Sequence, residues 1–141
     1  MTQVAAADFS DVLQKMKYVA NNDNTLYGLI QDRFYPRPLN TEGNEQYPLI
    51  NCHLFSSPIN PAHKRINVKT FIFDTYYVSE ESIDECTALY NAFYAIINNT
   101  RHTLDTGAMT VIEDSGVMDV SGIFGDKTLY ILTNSWETRK L

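Results

Sequence analysis

The side chains of this chain that could do chemistry are three histidines, two cysteines and a few aspartates, so their spacing is the first test of function. His53, His63 and His102 stand far apart, and no HxH, HExxH or CxxC spacing joins them to one another or to Cys52 and Cys86. A bound transition metal needs three or four such donors converging, and short spacings are how a sequence announces that. No glycine-rich loop passes from a strand into a helix, as a phosphate cradle requires; the stretch Gly116 to Gly125 leads into a strand and reads as a turn or bulge region. No GxSxG is present. Cys86 with a distant histidine could form a dyad, but it falls on an apolar helical stripe and reads as core. Asp74, Asp114 and Asp119 are potential acids, and isolated carboxylates are usually solvated or paired. Asn98-Asn99-Thr100 matches a glycosylation sequon without a secretion signal ahead of it. The expectation is therefore no catalytic residue, no cofactor and no metal, with a small hydrolase or transferase built on Asp74 or His53 as the enzymatic alternative.

Composition narrows the partners. Seventeen acidic against eleven basic residues leave a formal net charge of −6, and no basic run exceeds Lys64-Arg65. Gripping nucleic acid through a basic patch is not expected, although an acidic surface suits a protein that lets DNA slide past. Nine Tyr, seven Phe and one Trp make an aromatic-rich chain, as fits either an interface or a tyrosine-rich sheet. Cys52 and Cys86 read as small buried hydrophobes in a reducing compartment, and spacing alone leaves a disulfide between them open. The first residues carry no signal peptide and no run is long enough to span a membrane, so a soluble protein made in a cytoplasm is expected. A length of 141 residues suggests one domain, 1–141, with 1–7 as a loose end or contact arm.

The elements that would position these groups are organised around Ser79–Asn99. Ile83, Cys86, Leu89/Tyr90, Phe93 and Ile96/Ile97 recur at helical spacing, giving an amphipathic helix of about five turns. Ser82 with Glu85 is a capping-box pattern, and Asn98-Asn99 is a stop. Ahead of it come a helix from Asp8 or Ser10 to Asn22 and a short one over Thr25–Arg33, ended by Pro36 and Pro38. After a polar loop at 36–46, strands are expected at Tyr47–Ser56 and Arg65–Val78, joined by a proline-bearing turn at 57–64. A polar turn at 99–107, a short strand Ala108–Glu113, an irregular stretch 114–126 and a last strand Lys127–Trp136 complete the chain. The expected fold is α+β: a mostly antiparallel four-stranded sheet from two hairpins, with one long central helix and the N-terminal helices packed on it. The strand 65–78 is apolar on both faces, which calls for cover by helices 1 and 2 or by a neighbouring subunit.

The order of elements resembles the tail-completion and tail-terminator proteins of long-tailed bacteriophages, the minor head–tail joining proteins. An N-terminal helix leads to Phe34-Tyr35-Pro36 and a proline-rich loop, and Tyr47-Pro48-Leu49-Ile50 enters a strand. Thr70-Phe71-Ile72-Phe73-Asp74-Thr75-Tyr76 runs through Ser79-Glu80-Glu81 into the long helix. Asp119–Phe124 with Thr128–Leu132 matches a closing hairpin that ends near a basic tail, Arg139-Lys140. The likeness spans nearly the whole chain and rests on order and spacing rather than on an invariant signature. It implies a structural virion protein at the head–tail neck, assembled in the host cytoplasm. Such a protein forms a homo-oligomeric ring, a hexamer, between the tail tube protein and the head–tail connector proteins, with DNA passing through the lumen unbound and with no membrane. The loops 57–64 and 113–126 become the contact candidates. The N-terminal region is longer and more broken than in the simplest members, which leaves the place within the neck open. The alternative from a different class is a cytoplasmic α+β homodimer around a small-molecule pocket.

Overall fold

A computed structural model describes residues 9–56, 70–104 and 109–140. The expected arm at 1–7, the turn 57–64 with His63 and Lys64-Arg65, and the first residues of the expected strand 65–78 lie outside the described residues.

Helix α3 (Ile83–Ile97) is defined by its ends and by one stripe. Ser82 holds an extended conformation at the N-cap, and its Oγ accepts the Glu85 N–H at 3.2 Å. The Glu85 carboxylate turns back to accept from the Ser79 Oγ at 2.8 Å, so the last strand residue and the first helical turn hold each other. Asp84 and Glu85 put negative charge at the positive end of the helix dipole. Cys86, Leu89, Phe93 and Ile97 are buried along one side. The helix stops at Asn98, and Asn99 takes a left-handed φ of 55°, which asparagine tolerates better than most residues. Helices α1 (Phe9–Asn21) and α2 (Asn24–Ile30) bury Val12, Leu13, Met16, Ala20, Leu26 and Ile30 in the same cluster. Asp23 caps α2 by accepting the Leu26 N–H at 2.9 Å.

The sheet is mixed and curled, with seven strands among the described residues. These are β1 (Phe34–Tyr35), β2 (Leu49–Ser56), β3 (Thr70–Ser79), β4 (Thr100–Thr103), β5 (Met109–Asp119), β6 (Gly122–Phe124) and β7 (Lys127–Lys140). They lie in the order β1-β2-β3-β7-β5-β4, with β6 also paired to β7. The β1–β2 pair is parallel and the others are antiparallel. Register decides the faces. Phe73 sits opposite Trp136 and Tyr77 opposite Leu132, so Ile50, Cys52, Phe71, Phe73, Tyr77, Leu132 and Trp136 all meet the helices. The Phe93 ring is the junction, with ring centroids 5.5 Å from Phe34 and 5.7 Å from Trp136, edge-on to the latter. On the opposite face Leu49, Val78, Leu129 and Ile131 are buried under Tyr35, Leu39, Tyr47 and Phe124.

The four-stranded antiparallel sheet with one long central helix is therefore corrected. Among the described residues there are three short helices, and the longest has fifteen residues, because Ser79 belongs to β3 and Ser82 is already the cap. The stretch 114–126, expected to be irregular, is mostly strand: β5 runs through a bulge between Asp114 and Val117, and β6 follows. A bulge absorbs the glycine without ending the pairing. Residues 100–103, expected in a turn, pair with β5, and the two residues of β1 add a parallel partner too short to show periodicity.

Phe93→Ala removes the ring that joins the helix layer to the sheet. A stability loss of about 3–5 kcal/mol is expected by denaturant titration, and an unchanged midpoint would contradict this packing.

Candidate functional site

The residues singled out for chemistry are placed by the ladders. His53, Asp74 and Ser135 stand in one row across β2, β3 and β7, on the face away from the helices. The Ser135 Oγ donates to Asp74 Oδ1 at 2.7 Å, and the His53 ring stacks on Tyr76 with centroids 6.0 Å apart. A nucleophilic relay needs the imidazole between hydroxyl and carboxylate. Here the carboxylate stands between them and takes the Ser135 hydrogen bond itself, so the three do not form that relay. His102 lies on β4, buried against the helix layer, with Nε2 3.5 Å from the Ile97 carbonyl oxygen. Burial, followed by the nearby Lys15 charge, lowers its pKa, against the backbone contact that raises it. Cys52 and Cys86 are free, buried thiols; burial pushes them up to about 12 and about 11. Thr75 Oγ1 donates to Cys52 Sγ at 3.4 Å and Cys86 Sγ donates to the Tyr130 carbonyl at 3.1 Å. Thiols so placed stay protonated at neutral pH and act as core. Among the described residues no three of His, Cys, Asp and Glu gather as metal donors, and no helix is long and apolar enough to cross a membrane.

The polar groups that do converge were not foreseen together. Asp114 Oδ1 accepts from Asn134 Nδ2 at 2.8 Å and from the Gly116 N–H at 3.0 Å, while Oδ2 accepts from the Tyr90 hydroxyl. Asn134 Oδ1 accepts the Tyr77 hydroxyl at 2.9 Å, and Asn98 Oδ1 accepts the Asp114 N–H at 2.9 Å. Burial first, then the Asp114 carboxylate, raises the Tyr90 pKa. This network clamps the end of α3 to the bulge in β5. Gly116 has a φ of 110°, which a side chain would strain. The Asp-Ser-Gly triplet at 114–116 was the available signal; its partners Tyr90 and Asn134 could not be read without the register. Asp119 makes a separate turn, accepting from Ser121 N at 2.8 Å and Oγ at 2.6 Å, and these bonds lower its pKa.

Beyond the clamp the chain presents apolar surface. Met118 is 62% exposed and Ile123 76%, with Val117 beside them. Met118 and Val120 border a shallow groove of about 250 Å³ whose other walls include Asp74, Tyr76, Thr133 and Ser135. Phe55, at the far end of the sheet, is 67% exposed, and Tyr18 and Tyr27 stand out from the helix layer. The second face of β3 is thus covered at Val78 by the loop before β2 and open around Asp74 and Tyr76. Lys127 Nζ ties that loop down through the Gly43 carbonyl at 3.0 Å, and Arg37 does so through Glu45 and through Asn51 at 3.1 Å.

No family model matches the chain, and no curated protein matches it. Among solved structures it is similar to a chain of the virion of a native gene transfer agent (GTA) particle, with a TM-score of 0.60 at 9% identity, covering 94% of this chain and 98% of that one. At that identity the likeness is one of fold, extending over nearly the whole length of both chains.

Two outcomes follow from the clamp and from His102. Tyr90→Phe removes a hydrogen bond to a carboxylate and is expected to cost about 1.5–3 kcal/mol in denaturant titration; no loss would mean the bond is not held in solution. Because the folded pKa of His102 lies below 6.5, the unfolded chain takes up the proton first, so stability falls as pH drops below that value. His102→Gln should flatten the fall in melting temperature between about pH 7 and about pH 5, and an unaltered slope would assign the effect to other groups.

Proposed function

We propose that this chain is a structural protein of a virion-like particle, with no catalytic step of its own. The observation that carries the reading is the fold shared, over nearly the whole length, with a chain of the gene transfer agent virion. More finely, we propose a ring at the head–tail joint that terminates or completes the tail and docks it to the connector, with DNA passing through the lumen. The order of elements that resembles tail-completion proteins supports this. So do the net charge of −6, which suits a lumen that does not hold DNA, and the exposed apolar residues at both ends of the sheet. Its partners are then further copies of itself, a tail tube protein and connector proteins, and its place is the particle neck after assembly in the host cytoplasm.

The test is quantitative mass spectrometry of DNA-filled particles purified from the source cells, paired with native mass spectrometry of the isolated protein. The chain is expected in the particles at a low fixed copy number, and in solution as a ring that accounts for that number. Its absence from particles would overturn the virion role. A strict two-fold dimer that persists on dilution would favour a pocket-binding homodimer instead.

A further inference from the structure

Resting on the virion reading, we infer that copies of this chain join head to tail by pairing the open end of β5 and β6 in one copy with the open end of β2 in the next. Strand β4 covers β5 only as far as Ile112. Past the bulge, Met118 faces Thr133, and the Val120 N–H donates to the Ile131 carbonyl at 2.9 Å. Backbone groups alternate along a strand, so Val117 and Asp119 direct their N–H and C=O away from β7. Ile123, midway along β6 beside the tight turn at Gly125-Asp126, does the same. No strand lies beyond them among the described residues.

Natural sheets guard such edges with lysine, proline or inward-pointing charge. The sequence Val117-Met118-Asp119-Val120-Ser121-Gly122-Ile123-Phe124 holds no Lys, Arg or Pro, and the carboxylate of Asp119 is engaged by Ser121. In place of a guard the edge displays Val117, Met118 and Ile123. By contrast, the outer edge of β4 is short and carries Arg101.

The complementary edge is on the same chain. Strand β1 pairs with β2 only at Ile50 and Asn51. The Ile50 N–H points outward to Arg33, so Leu54 also faces outward, and no described strand covers it. The bulge between Leu54 and Ser56 leaves Phe55 out of the ladder and exposed. In the order β2-β3-β7-β5 every neighbour is antiparallel, so β5 set beside β2 of a second copy continues the same alternation. The two edges lie on opposite sides of one sheet, so the contact is heterologous and repeats from copy to copy. They also lie at different levels. Leu54 is level with Phe73, whereas Val117 and Asp119 are level with Thr75 and Tyr77 through β7. Joining them staggers each copy against the last, and stagger in a twisted sheet is what bends a row of strands toward closure.

Met118→Lys and Phe55→Lys each place a charge on one edge, at positions exposed enough to leave the fold and melting temperature unchanged. Native mass spectrometry of the full chain is expected to show a ring for the unaltered protein and a monomer for each variant alone. An equimolar mixture should yield a one-to-one heterodimer and nothing larger, because only one intact pair of edges remains. Rings that survive either substitution, a mixture that stays monomeric, or an unaltered protein that never associates would each overturn the edge pairing. Recovery of the chain in purified particles would stand apart from that result, so the two failures can be told apart.

Discussion

Strand β7 engages neighbours along both of its edges over nearly its whole length. β3 pairs with Tyr130 to Arg139 on one side, while β6 and then β5 occupy the other. Each of those strands takes its register from β7, and register decides which side chains meet the helices. The even positions Leu132, Asn134, Trp136 and Thr138 are all buried, whereas Thr133 and Ser135 stand on the open face. A slip of one residue would exchange these sets, bringing Thr133, Ser135 and Glu137 under α3 and Trp136 out to water. The burial of Trp136 against Phe93 and Tyr94 is what makes that slip costly.

The two faces of the sheet consequently have different chemistry. The helix side is mostly apolar; besides the buried Thr75, His102 and Thr138 it carries the Tyr77–Asn134–Asp114–Tyr90 network, whose donors and acceptors are matched to one another. That network occupies the place where β5 breaks its ladder, and it ties the bend to α3. On the other side, apolar residues gather under the loop that Arg37 and Lys127 hold down, and the remainder carries the row His53, Asp74 and Ser135 with Tyr76 and Thr133 in the next row.

Within the sheet, the large apolar side chains left exposed stand where the ladders end. Interior strands have their hydrogen bonds completed by neighbours, and their apolar side chains are covered by helices or by the loop. Among the described residues no strand flanks the tips of β5, β6 and β2, and Met118, Ile123 and Phe55 are exposed there. Unfinished strand edges and exposed apolar side chains at the same positions are complementary requirements, since an added strand satisfies both at once.

Local patterns were legible wherever a single element decided the outcome. The stripe Cys86, Leu89, Phe93, Ile97, the Ser82 cap, the amphipathic α1 and the burial of both cysteines follow from spacing and side-chain chemistry alone. The four-stranded reading failed where the outcome depended on a partner. Gly116 looks like a break until β7 is there to carry the ladder across a bulge, and Thr100–Thr103 looks like a turn until β5 lies beside it. Phe34-Tyr35 is too short for any period to register. Likewise, Asp114 was visible as an acid, but its partners Tyr90 and Asn134 are 24 and 20 residues away in the chain, and only the pairing of β5 with β7 under α3 brings them within hydrogen-bond reach. The amino-acid sequence by itself determined the three helices and the Ser82 cap of α3, because those depend on near neighbours; Ser10, read as the cap of the first helix, lies inside α1, and Asp23 caps α2. The tertiary structure alone decided strand pairing, order and register, because hydrogen bonds between strands join residues that no local pattern relates.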